Sequence, residues 1–257
     1  MSIRKTKAIV LRSRKQGETS KIITLYSRDA GLMKLIAKGS RSLKSRYWGA
    51  LELFNCIDIV YYFKESRELQ FLSQASIVET FTSVRENIGK MSQAAALCEL
   101  IERSEEHASA NPKLYNLLLD FLRAAEKSEN RTRNLLRWAK LQFLKLAGFS
   151  PTFDSCLTCK SEDVNGDVFF LLKDGGYQCC FNHPDLNDGL MFSANSIKFL
   201  RWLQKTPIEK ATTVPIPEKV GKQVDYFFLA YLNFHYEGVN HLRSSAFLDK
   251  MKHGLNY

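Results

Sequence analysis

The spacing of apolar residues changes once along the chain. Over the first eighty or so positions the runs TKAIVLRS, SKIITLYS and GLMKLIAKG are short, rich in Ile, Val, Leu and Tyr, and separated by turn-like QGE and DAG. Such runs predict strands. Two longer ones, ALELFNCIDIVYYF and LQFLSQASIVE, lie on either side of the charged turn KESRE. Five strands in about eighty residues match a small closed barrel of the OB type.

Beyond residue 82 the period becomes helical. Met91, Ala94, Cys98 and Ile101 mark one helix. Asn111-Pro112 supplies an N-cap and a proline at the first helical position, and Leu114, Leu117, Leu118, Phe121, Leu122 and Ala125 then repeat at helix spacing. Residues 131–147 carry a broad apolar face that Gly148 ends and Pro151 keeps from resuming. Two further helices are expected, one starting from Ser193 and one following Pro217. The chain therefore reads as multi-domain α+β. An OB-type barrel occupies residues 1–80 and a helical domain residues 81–257, with a zinc-ribbon-like insertion over residues 151–190.

Charge adds a function to this outline. Residues 1–46 hold thirteen Lys or Arg against Glu18 and Asp29, a balance of +11. The remainder carries 24 bases and 25 acids, so the whole excess of the +10 chain sits at one end. A one-sided excess points to a polyanion partner. The cations fall at strand ends and loops: Arg12, Arg14 and Lys15, then Lys38, Arg41, Lys44 and Arg46, with Tyr47 and Trp48 beside them. Cationic grooves with aromatic platforms bind single strands, because phosphate contacts are sequence-independent and a π-face accepts any base. Tyr47 and Trp48 fit either such platforms or packing at the barrel end.

Composition and motifs narrow the class. At 257 residues with 45% hydrophobic content, the chain can bury a sizeable core. No leader pattern or membrane-length apolar run occurs, so a cytoplasmic, nucleoid-associated protein is expected. GxxxxGK[ST], GxSxG and HExxH are absent, and HYE at 235–237 is followed by no PCxxC. His107, His235, His241 and His253 are scattered. The positive signals all concern binding, and no enzyme activity is expected.

Cys56 and Cys98 lie in apolar runs and read as reduced core cysteines. The other four cluster. Cys156-x2-Cys159 can point two thiolates at one ion, and Cys180-x2-His183 repeats that spacing twenty residues on. Cys179 is the rival second ligand, because neighbouring side chains in extended backbone point apart and only one of the pair can serve. The spacing favours Cys180. Four protein ligands leave no open position, so a structural zinc is expected, stabilising an excursion with few apolar residues of its own.

Several stretches together resemble the RecO family of bacterial recombination mediators over essentially the whole chain. They are TKAIVLRSRKQGETSKIITLYSRDAGLMKLIAKGSRSLKSRYWGALELF, LLRWAKLQFLKLAGFSPTFDSCLTC, GGYQCCFNHP and the closing LRSSAFLDKM. The resemblance implies an N-terminal OB-fold, a helical domain and often a four-cysteine zinc element. It also implies binding of single- and double-stranded DNA and annealing of complementary strands. With RecR, the family helps RecA displace the single-strand binding protein SSB, whose acidic, apolar C-terminal tail it contacts; RecF is a further partner. Lys38, Arg41, Lys44 and Arg46 fall in the family's KGxR…KSR stretch. Cys156 and Cys159 match the first zinc pair, whereas His183 stands where the family usually has a cysteine. An acidic tail ending in Phe needs cations beside an apolar slot, which points to the helix with Arg133, Arg137 and Lys140. Solvated edges of a core helix are the other reading of those three. An RNA-binding OB module with a zinc stabiliser would carry the same charge pattern.

Overall fold

The computed structural model describes residues 1–42, 44–104, 110–179 and 189–236. Within these, residues up to Lys127 form one compact unit and those from Ser128 onward a second.

In the first unit the five expected strands are present: β1 (Ser2–Gln16), β2 (Ser20–Ser27), β3 (Gly31–Ala37), β4 (Cys56–Phe63) and β5 (Leu69–Glu79). They close into a barrel in the order β1-β2-β3-β5-β4. Closure depends on β1, whose Ser2–Ile9 half pairs with β4 and whose Ala8–Gln16 half pairs with β2. A bulge between Val10 and Arg12 bends the strand between its two partners. Ala8 and Val10 join the barrel core with Ile23, Leu25, Leu35, Ile57 and Ile59. Ile9 and Leu11, on the other face of β1, are also buried. That double burial explains the unbroken apolar run AIVL.

The strand expected to start at Ala50 starts at Cys56. Residues 50–55 turn instead, with Phe54 at a φ of 69° and Ala50 and Leu51 buried in the core. An apolar run folded inward as a loop looks like strand in sequence.

The change of period near residue 82 separates strands from helices, but packing carries the unit further. It includes α1 (Thr82–Glu86), α2 (Ile88–Ser104) and α3 (Pro112–Lys127). Cys56 Sγ lies 3.2 Å from the Tyr115 hydroxyl, and Arg123 pairs with Glu79 at 2.9 Å. Asn111 caps α3 as expected, accepting from the Leu114 N–H at 3.1 Å. Cys56 and Cys98 are buried.

The second unit holds α4 (Thr132–Leu146), α5 (Ala194–Lys205) and α6 (Glu218–His235). Between α4 and α5 lie β6 (Val168–Leu171), β7 (Gly176–Cys179) and β8 (Gly189–Phe192), an antiparallel sheet in the order β7-β6-β8. Contrary to expectation, this excursion is rich in buried apolar side chains. Phe153, Phe170 and Phe192 pack on Phe227 of α6 with ring centroids 5.1–6.0 Å apart.

Helix α4 corrects the tail-site expectation. Arg137 is buried and spent on α6: its Nε and Nη2 donate to the two Asp225 oxygens at 2.8 Å each, and Nη2 also reaches the Gly221 carbonyl. Its Nη1 donates to Asn134. Arg133 shares Asp225 at 3.7 Å. Lys140 is buried too, with Nζ 5.4 Å from the Phe228 ring centre. Two of the three cations are thus buried between helices, and Arg133, half-buried, shares the carboxylate that Arg137 uses.

Burial holds the Lys140 ammonium down to about 8; Asp225 opposes this, and Arg137 and Arg133 add to it. Between that value and the ordinary Lys range of about 10.4 the unfolded chain binds more protons, so stability should rise with pH across that window. Lys140→Met should therefore stabilise the protein at pH 7 by on the order of 1–3 kcal/mol and flatten that alkaline rise. Urea denaturation at pH 7 and pH 9.5 checks both.

Candidate nucleic-acid interface and metal centre

The candidate interface gathers at one end of the barrel. The β1–β2 turn, made by Gly17 at a φ of 60°, brings Arg14 and Lys15 to that end. The loop after β3 folds back onto the turn, with the Arg41 N–H donating to the Thr19 carbonyl and Arg41 Nη1 to the Gly17 carbonyl, both at 2.9 Å. Lys38 sits with Nζ 4.8 Å from the Phe71 ring centre. Arg67, from the β4–β5 loop, lies 5.3 Å from the same ring. Parallel pairing of Ile36 with Phe71 fixes that meeting of strands.

Arg14, Lys15, Lys38, Arg41 and Lys44 are exposed. Arg12 is exposed as well, but spends part of its charge on Glu102 at 3.6 Å. Arg67 and Phe71 join this end without having been expected. Arg67 was hidden in the charged KESRE turn, and Phe71 reads in sequence as an ordinary strand aromatic.

The two neighbouring aromatics separate. Trp48 is 84% exposed, as a stacking platform requires. Tyr47 belongs to the barrel core, its hydroxyl donating to the Leu72 and Ser73 carbonyls at 2.9 and 3.3 Å. That burial corrects the platform reading for Tyr47, because a ring enclosed by Leu35, Leu72 and their neighbours offers bases no face. Adjacent residues in a tight turn can point to opposite sides, and composition does not say which one goes in.

Arg46 lines a separate cleft with Lys5, Lys7 and Arg28, beside β1, β4 and β5.

In the second unit, Cys156, Cys159 and Cys179 come together, their sulfur atoms all within 4.8 Å of one another. The arrangement follows from backbone. The Leu157 N–H donates to the Tyr177 carbonyl, docking the Cys-x2-Cys turn onto β7. Lys160 closes the turn at a φ of 61°. Gly176 leaves room for this docking, since a Cβ there would lie 2.7 Å from the Leu157 side chain, which would have to shift. Gly175, at a φ of 64°, makes the expected return before the second half. The Cys179 N–H donates to Cys156 Sγ at 3.4 Å. Burial raises the Cys156 thiol, but backbone N–H groups of Cys159, Cys179 and Thr158 outweigh that and bring it down to about 7. Burial and the neighbouring sulfurs push Cys179 up to about 12. One thiol poised for ionisation and two more beside it form a soft donor set that suits a zinc ion. Cys179, the spacing's second choice, is thus the cysteine seen with the first pair. Cys180 and His183 lie outside the described residues.

Comparison with known proteins covers most of the chain. Residues 1–81 match the family described as Recombination protein O N terminal, and residues 85–246 match Recombination protein O C terminal. The chain is similar to the DNA repair protein RecO of Caldanaerobacter subterraneus subsp. tengcongensis, 30% identical over 238 residues, 92% of this chain and 94% of that one. It is similar also to the DNA repair protein RecO of Pelotomaculum thermopropionicum, 30% identical over 250 residues, 97% of this chain and 95% of that one. With the DNA repair protein RecO of Salinibacter ruber the identity is 35% over 185 residues, covering 72% of this chain and 70% of that one.

Proposed function

This chain belongs to the RecO family of recombination proteins, and on that premise we propose that it acts in DNA repair as a strand-annealing recombination mediator. The OB-type barrel binds single- and double-stranded DNA. With RecR, and with RecF as a further partner, it assists RecA in displacing SSB. This role fits a cytoplasmic location, and no helix among the described residues is long and apolar enough to cross a membrane.

The observation that carries the reading is the barrel end where Lys38 and Arg67 flank Phe71 and Arg41 ties the loop after β3 to the turn that follows Arg14 and Lys15. Annealing forms and breaks no covalent bond. It requires phosphate repulsion to be neutralised while bases stay free to pair, and exposed cations around an aromatic ring supply that.

Reversing Lys38, Arg41 and Lys44 to Glu should slow annealing of complementary oligonucleotides at least tenfold. The slope of log affinity against log salt should also fall by about 2 for single strands. Fluorescence anisotropy at several salt concentrations reads the slope, and quenching of paired dyes reads annealing. Unchanged values for both would refute the assignment, and a strong preference for structured RNA over DNA would favour the RNA-binding alternative.

Cys156, Cys159 and Cys179 would hold a structural zinc, with Cys180 and His183 the sequence's candidates to complete the set. Bound there, zinc supplies a crosslink among the sulfurs rather than chemistry. One zinc per chain is expected by atomic absorption. Cys156→Ser should lower that content and the thermal midpoint together. Acidification from pH 7.5 to 5 should release the metal, because protons compete for thiolates. Full occupancy in Cys156→Ser would remove Cys156 from the site.

The acidic, apolar SSB tail fits an apolar groove of about 290 Å³ in the second unit. Phe199, Trp202, Val214, Ile216 and Val220 line it, and exposed Lys198 stands at its rim. A cation beside an apolar slot matches a tail ending in Phe. Lys198→Glu should weaken binding of a tail peptide about tenfold by calorimetry; undiminished binding would place the tail elsewhere.

A further inference from the structure

The cleft that takes Arg46 is large, about 820 Å³, and lies away from the barrel end just described. Its floor is an ordered piece of sheet. Lys7 pairs with Asp58 and Asp58 with Ser76, forming one row of outward-facing residues across β1, β4 and β5. Lys5, Val60 and Gln74 form the next row. Lys5 and Lys7 stand two residues apart, about 7 Å along the strand, a separation comparable to that of neighbouring phosphates on an extended strand.

Arg28 closes one side, held by its N–H donating to the Lys7 carbonyl at 2.9 Å. Arg46 closes another. Lys5, Lys7, Arg28 and Arg46 are all exposed, and none is within ion-pairing distance of a carboxylate among the described residues. Of the two acids in the lining, Asp29 already accepts from the Thr6 hydroxyl at 2.7 Å. Asp58 is the second, and the four cations outnumber the two carboxylates. Cationic charge is left in surplus.

An aromatic surface lies close by. Two residues after Arg46 comes Trp48, 84% exposed, in a turn whose Gly49 faces the Ile77 side chain. Ile77 is itself 47% exposed and follows Ser76 on β5. Phosphate-neutralising cations over a floor of mixed polar and apolar residues, with an indole nearby, are the elements of a single-strand groove. A cleft of about 820 Å³ has room for a few nucleotides of extended strand.

We propose that this β1–β4–β5 cleft seats a second nucleic-acid strand, so that one chain holds two strands at once. The proposal rests on the nucleic-acid-binding reading and extends it. The two seats lie on the two halves of β1: Lys5 and Lys7 on the half paired with β4, Arg14 and Lys15 on the half paired with β2. Ten residues separate Lys5 from Lys15, as much as about 33 Å of strand. An annealing protein with both seats brings complementary strands together without recruiting a second copy.

The test uses two short, non-complementary oligothymidylates carrying donor and acceptor dyes, added to full-length protein immobilised as single chains at low salt. Energy transfer from individual chains is expected. In Lys5→Glu/Lys7→Glu/Arg28→Glu, affinity for the first oligonucleotide should stay within about threefold of the unaltered protein. Energy transfer should be lost, and annealing should slow about tenfold. The neutral triple Lys5→Gln/Lys7→Gln/Arg28→Gln guards against misfolding, checked by thermal denaturation, and should show the same losses in weaker form. Energy transfer at full strength in the folded variants overturns the second seat. So does equal loss of both oligonucleotides, which would make the cleft part of one continuous site. Capture of neither oligonucleotide by the unaltered protein is a separate result: it removes the nucleic-acid reading itself, and the second seat with it.

Discussion

Strand β1 has two partners, and the barrel depends on its bend. One half of the strand is hydrogen-bonded to β4 and the other to β2, and the bulge after Val10 lets one chain serve both. Without that bend the sheet stays open, because β1 is the strand that pairs directly with both β2 and β4. Closure also removes exposed edges, which a five-stranded sheet would otherwise present to other chains. Everything attributed to the first unit follows from it: the β1–β2 turn, the loop after β3 and the β4–β5 loop meet because the ring is closed. The cleft beside Lys5 and Lys7 exists because the first half of β1 pairs with β4, and β4 in turn with β5.

The second unit depends on aromatic packing. Its cysteines sit on and beside a small three-stranded sheet, which needs a packed hydrophobic face to be stable. Phe153, Phe170 and Phe192 anchor that sheet to Phe227. Arg201 adds a polar tie, donating to the Phe153 and Glu162 carbonyls at 2.7 and 3.0 Å. A metal there would fasten a segment already gripped from below. The Arg137–Asp225 pair does related work between α4 and α6, where a buried guanidinium needs every donor satisfied.

Much of this was legible in the residues themselves. Alternation of period two marked the five strands. The Asn111 cap, the helix end at Gly148 and the Ser193 cap followed from local chemistry, and each stands where it was read: Asn111 accepts from Leu114, Gly148 takes a φ of 83°, and Ser193 accepts from the Ser196 N–H. The Cys-x2-Cys turn was equally clear. What failed were judgements of facing and burial. Ala50 to Asn55 read as strand because buried loop and buried strand share a composition. Tyr47 and Trp48, one residue apart, went to opposite sides. Arg137 and Lys140 looked like a surface stripe and proved to be interior.

By itself, then, the sequence determined what depends on short range: strand and helix period, caps, turn glycines, the spacing of the cysteines and the excess of cations at one end. These are set by backbone sterics and by hydrogen bonds within a few residues. The tertiary structure decided which charges share a surface. It brought Arg67 and Phe71 to Lys38, and set Lys5 and Lys7 beside Arg28. Those groupings follow from strand register and barrel closure, which join residues tens of positions apart, and a charge count along the chain holds no information about them.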